Sequence, residues 1–378
     1  MSPDLSDNQT AGPIAIVYVI DNFYRGAGTE NQLAILIDHI DRSRFKPYVF
    51  NLRPKLPDWN IEIDCDVFYL NVTSVFSWMG LKAIRKIRKF IKEHDVGLVQ
   101  VYYLDSKMIG VTAARLAGLK KIISCRRNMG WWHTSIKVFF NRLFSGMSRY
   151  CLVNAYTIRD MIKRTEPFDD EHIEVIYNGV ELRANPRAKE KKPADFGIPD
   201  GAPVVGLVSN MRPVKRIDRF IRAAAMVENR EAHFLIVGEK FLRHQLEKQA
   251  AATDIAERIH FHHAADGVSY ILRLFDIGVL TSESEGLSNV LIEYALAGIP
   301  ALAFDVGGNR EIISDGETGF VIPDGNESRL AGLIDQLLDD PGLRLKLGQN
   351  ALRSAQGKFG VERMIRETEK FYEKILRQ

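Results

Sequence analysis

Short apolar, β-branched runs alternate with stretches whose apolar residues recur at helical spacing along most of the chain. Ile14–Ile20 is the first run; it ends in a polar loop and predicts a strand buried on both faces. After the loop Gly26-Ala27-Gly28-Thr29-Glu30, the residues Leu33, Leu36, Ile37 and Ile40 share one helical face. Further strands are predicted at Tyr48–Leu52, Val67–Leu70, Val96–Tyr103, Lys121–Cys125, Tyr150–Asn154 and Ile173–Val180. The helices between them are marked by Leu81, Ile84, Ile87, Phe90 and Ile91, then by Met108–Ala117, Trp131–Phe144 and Ala155–Lys163. Residues 183–200 are rich in Lys, Pro and Ala, lack apolar periodicity and read as a linker. The alternation then restarts, with strands at Pro203–Val208, His233–Val237, Ile259–His262, Ile277–Leu280 and Pro300–Phe304. Helices fall near Arg216–Val227, Phe241–Ala251, Val268–Arg273 and Asn289–Ala297, and 327–378 is almost wholly helical in pattern. This is the pattern of an α/β chain with two doubly wound, Rossmann-like domains, expected at 1–183 and 184–357.

Two such domains face a cleft at the carboxyl ends of their strands, where open α/β folds bind ligands. Gly26, Gly28, Arg212, Lys215, Glu285 and Gly286 all follow predicted strands and are expected to line it. The densest chemistry lies in Glu285-Gly286-Leu287-Ser288-Asn289-Val290-Leu291-Ile292-Glu293. Ser288 or Asn289 suits a helix N-cap, so unpaired amides would point back toward Gly286 and seat an anion. Asn289 and Glu293 are four apart and share a face. Two carboxylates then flank a positive helix end, which suits a ligand with an anionic middle and hydroxyl-bearing ends, such as a nucleotide-sugar. The plainer reading is an ordinary helix with one solvated Glu and one loop Glu. Arg212 and Lys215 can neutralise a diphosphate, one through its guanidinium fork and the other as a point charge. As mere residues of a helix start, both would oppose the helix dipole.

The Gly26-Ala27-Gly28 loop lacks the third glycine of a dinucleotide fingerprint, since position 31 is Asn31, which counts against a nicotinamide enzyme. Three scattered cysteines without CxxC spacing argue against a structural zinc or a disulfide framework and for a reducing cytoplasm. The polar start lacks the apolar core of a secretory signal, and no apolar run approaches the roughly 20 residues of a spanning helix. Net charge is only +3, yet Lys82 to Arg149 holds fifteen Lys or Arg against three acids. Either an anionic partner or a set of solvated helix faces explains such a block. Lys82–Lys92 is a basic amphipathic helix with no acid before Glu93. With Trp131, Trp132, Phe139 and Phe140 behind it, it points to peripheral contact with an anionic membrane, its apolar face packing on the first sheet. Asp64-Cys65-Asp66 reads as surface acids; Asp105 either orients an acceptor hydroxyl or caps a helix. No nucleic-acid partner is expected.

Several blocks resemble glycosyltransferase family 4, retaining enzymes of the GT-B architecture. They are Ser209-Asn210-Met211-Arg212-Pro213-Val214-Lys215, Ser284 to Glu293, Ala297-Gly298-Ile299-Pro300, Asp305 to Ile312, and Gly316-Glu317-Thr318-Gly319. In the first half Gly26–Glu30 and Asn178-Gly179-Val180 match more thinly. The resemblance implies that Glu285 contacts hydroxyls of the transferred sugar and Glu293 the ribose. Arg212 and Lys215 would hold the pyrophosphate with the amides of Leu287, Ser288, Asn289 and Val290, while Gly28 approaches it from the other domain. It also implies that no metal or other cofactor takes part, and that a last helix, about 358–378, crosses back to the first domain. Two positions depart from the family pattern. Asn210 stands where the family has Arg, which here is Arg212, and Arg126 stands where it often has His. Arg126 would suit a phosphate-bearing or acidic acceptor, or be a surface arginine. The activity implied is sugar transfer from a UDP- or GDP-sugar to a hydroxyl acceptor in cell-surface polysaccharide or glycolipid synthesis. A nucleotide-sugar epimerase of the same fold and a non-catalytic nucleotide-sugar-binding subunit remain as alternatives.

Overall fold

In a computed structural model the chain is described over residues 12–24, 28–55, 63–130, 134–182, 191–238, 242–263 and 269–378. The first half holds strands β1 (Ile14–Ile20), β2 (Phe45–Asn51), β3 (Asp66–Tyr69), β4 (Leu98–Val101), β5 (Ile122–Arg126), β6 (Tyr150–Val153) and β7 (Ile173–Val175). They form one parallel sheet in the order β3-β2-β1-β4-β5-β6-β7. Helices α1 (Gly28–His39), α2 (Trp78–Glu93), α3 (Leu104–Ala117), α4 (Ser135–Met147) and α5 (Tyr156–Thr165) connect them. The second half holds β8 (Val204–Val208), β9 (His233–Val237), β10 (Ile259–His262), β11 (Ile277–Leu280), β12 (Ala301–Phe304) and β13 (Gly319–Ile322). Their order is β10-β9-β8-β11-β12-β13, again with parallel pairing throughout. Its helices are α6 (Ile217–Met226), α7 (Arg243–Ala251), α8 (Ser269–Leu272), α9 (Asn289–Leu296) and α10 (Asn309–Ile312). Three helices follow: α11 (Glu327–Asp339), α12 (Pro341–Lys358) and α13 (Val361–Arg377).

Parallel strands covered on both sides must be apolar at every position. In β1, Ile16, Tyr18 and Ile20 join the core on one face while Ala15, Val17 and Val19 join that on the other. The last helix belongs to the first sheet: Phe371, Tyr372 and Ile375 of α13 pack with Ile16 and Tyr18 of β1. The tie is also polar, for the Tyr372 hydroxyl donates to Gln100 Oε1 at 2.6 Å.

Several elements differ from the sequence reading. The strand expected to stop at Cys125 runs to Arg126, so that arginine ends β5 instead of opening the loop. The aromatic helix expected from Trp131 starts at Ser135, with the Thr134 hydroxyl accepting from the Lys137 amide at 3.5 Å; residues 131–133 lie outside the described residues. Asp105 is not the cap of α3. It sits inside the first turn and pairs with Arg53. Strand β13 was not foreseen, because four residues behind a glycine turn are too few to show a period.

A polar clasp joins the halves. Ala155 stands at the N-cap position of α5 and has no side chain to accept a bond. Glu311, from α10 of the other half, takes that place. Its carboxylate accepts from the amides of Tyr156 at 2.8 Å and Thr157 at 2.9 Å, and from the Thr157 hydroxyl at 2.9 Å. Loss of an N-cap costs about 1 kcal/mol, up to about 2. Glu311→Ala is therefore expected to lower stability by that amount in urea denaturation, and an unchanged midpoint would mean that the clasp carries no stability.

Candidate functional site

The strand orders reverse between β1 and β4 and between β8 and β11. Loops after those four strands splay apart at each switch point, and crevices open there. Loop ends from both halves meet in one cleft lined by Gly28, Thr29, Glu30 and Tyr103 on one side. Asn210, Arg212, Lys215, Glu285, Gly286, Leu287, Ser288, Asn289 and Val290 line the other. Gly26 lies outside the described residues.

Lys215 and Glu285 reach each other across two loops of the second half, with Nζ 2.6 Å from Oε1. The backbone holds them there: the Glu283 amide donates to the Val214 carbonyl at 3.0 Å, and the Thr281 hydroxyl to the Lys215 carbonyl at 3.2 Å. Lys215 ends a single 3-10 turn, Pro213–Lys215, and α6 begins only at Ile217. The two cations thus stand between β8 and α6, as expected of residues that follow a strand, and the plainer alternative of a basic helix start does not hold. Arg216 between them and α6 adopts φ +48°, an uncommon value for a residue with a Cβ, and is fixed by ion pairs to Asp218 and Glu283.

Helix α9 starts at Asn289, and Ser288 is at its N-cap, yet the Ser288 side chain makes no capping bond. The sequence reading gave the cap to Ser288 or Asn289. Asn289 instead turns outward: its Oδ1 accepts from Asn178 Nδ2 of the other half at 2.6 Å. The first amides of α9 thus lack a side-chain cap where the helix dipole is positive and the wall of the cleft is formed. Gly286 is required where it stands. A methyl there would lie 2.3 Å from the Arg127 carbonyl oxygen, so the halves approach closely here. Behind it the Gly308 amide donates to the Gly286 carbonyl at 2.8 Å, and Gly307 packs so closely that a methyl would meet the Glu285 carbonyl at 1.9 Å.

Glu293 lies a turn deeper on α9 and is only partly exposed. Burial alone pushes its carboxyl up to about 7. It is not among the residues whose atoms line the cleft. Arg126 is also apart from Arg212 and Lys215. It lines a second, adjoining pocket of the first half with Asp21, Asp105, Lys107 and Lys137. Thr29, Tyr103, Arg127 and Asn128 line both pockets, so the two are continuous. Burial lowers the Arg126 pKa, and the nearby Glu166 carboxylate opposes that shift.

Three residues to which the sequence reading gave no role in the site hold it together. Asn178 is 3% exposed; its Oδ1 accepts from Arg127 at 2.8 Å and Asn154 at 3.2 Å while its Nδ2 serves Asn289. Asn-Gly signalled only a turn, and nothing local told where that turn would lie. Asp21 accepts from the Ser106 amide at 2.9 Å, which supplies the missing cap of α3; burial raises its carboxyl to about 6. Glu30 receives the Tyr103 hydroxyl at 2.9 Å, and burial raises its pKa too.

Two facing Rossmann-like domains with a ligand cleft between them, closed by a last helix that returns to the first, make up the GT-B arrangement of glycosyltransferases. The chain belongs to glycosyltransferase family 4: it matches Glycosyl transferases group 1 over residues 188–354 and Glycosyltransferase Family 4 over residues 26–184. It is 29% identical over 210 residues to the N-acetyl-alpha-D-glucosaminyl L-malate synthase of Bacillus anthracis, across 55% of each chain. The chain spans about half the length of the curated relatives it matches. Among solved structures it resembles a Rickettsia africae glycosyltransferase with TM-score 0.85 and 19% identity, over 97% of this chain and 99% of that one. It likewise resembles Anabaena HepE, solved in complex with UDP and glucose, with TM-score 0.80 and 20% identity, over 96% of this chain and 100% of that one.

Two outcomes are expected of this geometry. Asn178→Ala leaves buried partners on Arg127, Asn154 and Asn289 unpaired, so stability should fall by about 1–3 kcal/mol; an unchanged thermal midpoint would remove Asn178 from its place in the cleft. Glu293 carries a folded-state pKa above its ordinary value, so the native state holds the proton more tightly. Stability is then greatest below the ordinary value near 4.5 and falls as pH rises toward 7. The fall should be on the order of 3 kcal/mol, and Glu293→Gln should abolish it in denaturation titrations across that window.

Proposed function

We propose that this protein is a retaining glycosyltransferase that moves a sugar from a UDP- or GDP-sugar to a hydroxyl acceptor. The acceptor is lipid-linked or anionic and belongs to polysaccharide or glycolipid synthesis, reached at a membrane surface that the protein contacts peripherally. The observation that carries this reading is the convergence of Arg212, Lys215 and the side-chain-uncapped start of α9 on one cleft wall. A departing nucleoside diphosphate develops negative charge on the bridging oxygen. Two fixed cations and a row of helix amides stabilise that charge more than they stabilise the bound donor, which lowers the barrier.

Each residue has a role in this reading. Lys215 meets the phosphate and keeps Glu285 oriented toward the hydroxyls of the transferred sugar. Glu293 receives the ribose hydroxyls, and Gly28 lets the first half approach the phosphates. Asn210 lines the same cleft wall as Arg212 and accepts the Arg212 amide on its carbonyl at 2.7 Å. The leaving group departs and the acceptor hydroxyl enters from the side of the Arg126 pocket, where the guanidinium suits an acidic or phosphate-bearing acceptor.

UDP and GDP should each be tried as stabilising ligands, since a nucleotide present at a hundredfold excess over its Kd adds about 3 kcal/mol. Lys215→Ala is expected to lower kcat on the order of a hundredfold, the effect of losing one charge-stabilising group. Turnover that survives both Lys215→Ala and Glu293→Ala unchanged would sink the assignment.

A further inference from the structure

Helix α4 is built inside out. Its buried positions are polar, Asn141 and Ser145, four residues apart on one face. They dock on a buried ion pair: Lys107 Nζ donates to Asn141 Oδ1 at 2.7 Å and Ser145 Oγ at 2.9 Å, with Glu166 at 3.6 Å. Glu166 in turn accepts from Asn141 Nδ2 at 2.7 Å and from the Ser145 hydroxyl. Phe144 and Met147 still pack against the core, but the stripe of Ile136, Phe139 and Leu143 faces away from the protein, 70%, 62% and 47% exposed. The start of α2 extends it. Phe76 is 75% and Trp78 69% exposed, and the Phe76 ring packs against Phe140 of α4 with centroids 5.6 Å apart.

Helices α2 and α4 both begin at the carboxyl ends of strands, so the stripe lies on the cleft-facing rim of the first half. Lys137, between two exposed apolar residues of α4, lines the Arg126 pocket. The rim is basic: Lys82, Arg85, Lys86, Arg88, Lys89 and Lys92 follow on α2 with no acid before Glu93. The Arg85 guanidinium sits 5.1 Å over the Trp78 ring. Among the described residues no helix is long and apolar enough to cross a membrane.

We infer that the α2–α4 rim inserts its apolar stripe into an anionic phospholipid surface, so that the acceptor pocket opens at the lipid. This rests on the transferase reading and deepens it by naming the surface. Two observations favour lipid over a protein partner. The apolar residues lie along the outer side of a helix whose inner side is already satisfied, the form of an interfacial helix. The charge along α2 as far as Lys92 is of one sign, which complements acidic headgroups.

Flotation with vesicles of phosphatidylcholine, alone or mixed with phosphatidylglycerol, tests the proposal. The protein should float with the mixed vesicles, less so at high salt, and not with the neutral ones. Ile136→Ser/Phe139→Ser should weaken that binding about tenfold or more, and Lys86→Glu/Lys89→Glu should weaken it as well. The stabilisation of either variant by UDP or GDP should stay as in the wild type, which shows that both are folded. Three results would overturn the proposal: wild type that ignores phosphatidylglycerol vesicles, an apolar variant that binds them equally well, or a concentration-dependent dimer that the same substitutions abolish, since a second copy would then cover the stripe. Vesicle binding without any nucleotide-induced stabilisation would leave the docking surface standing and remove the donor reading.

Discussion

One asparagine amide fixes the shape of the cleft. An amide offers two acceptor sites and two donor hydrogens, and Asn178 directs them to three separate segments: Arg127, Asn154 and Asn289. Arg127 is the residue whose carbonyl lies against Gly286, and Asn289 opens the helix whose start lines the cleft. The next residue is as constrained. Both polar groups of Gly179 are taken by the Gln32 amide, at 3.0 and 2.9 Å, and a methyl there would lie 2.8 Å from the Val361 Cα. Gln32 belongs to α1, which starts at Gly28, and Val361 starts α13. A single dipeptide therefore sets the positions of α1, the Arg127 loop, α9 and the returning C-terminal helix relative to one another.

The same economy appears at two helix starts. Helices α3 and α5 have no capping side chain of their own, and each is capped by an acid from elsewhere, Asp21 and Glu311. Asp21 follows β1 directly and Glu311 lies on the short helix α10 behind β12, so the caps also cross-tie the loops that form the cleft. This explains what the sequence could reveal. Buried parallel strands must be apolar throughout, so runs such as Ile14–Ile20 or His233–Val237 were visible in their order and nearly at their true limits. The blocks at 209–215 and 284–293 were visible because their chemistry is local. Long-range polar contacts leave no period. Asp105 looked like a cap by position, while the true cap of α3 stands 85 residues from Ser106. Asn178 looked like a turn and no more. The path of β5 to Arg126 decided which pocket that arginine serves, and a strand end that differs by one residue is beyond what periodicity resolves.

Helix α4 shows where the usual rule of apolar inside and polar outside reverses, and why. Lys107 is buried on α3 and Glu166 beside it, and a buried ion pair is tolerated only when its remaining donors and acceptors are met. Asn141 and Ser145 meet them, and they fall on one face because they are four apart. Once that face is committed inward, the spacing of Ile136, Phe139 and Leu143 forces the apolar side outward. Exposed apolar area costs about 25 cal/mol per Å² in water, so in water alone the arrangement is a standing loss. On the membrane docking proposed above, the loss would disappear where the rim meets a lipid surface, with the cations along α2 holding it there. The polar cluster under α4, together with Phe144 and Met147 against the sheet core, keeps that helix on the domain and leaves Ile136, Phe139 and Leu143 exposed.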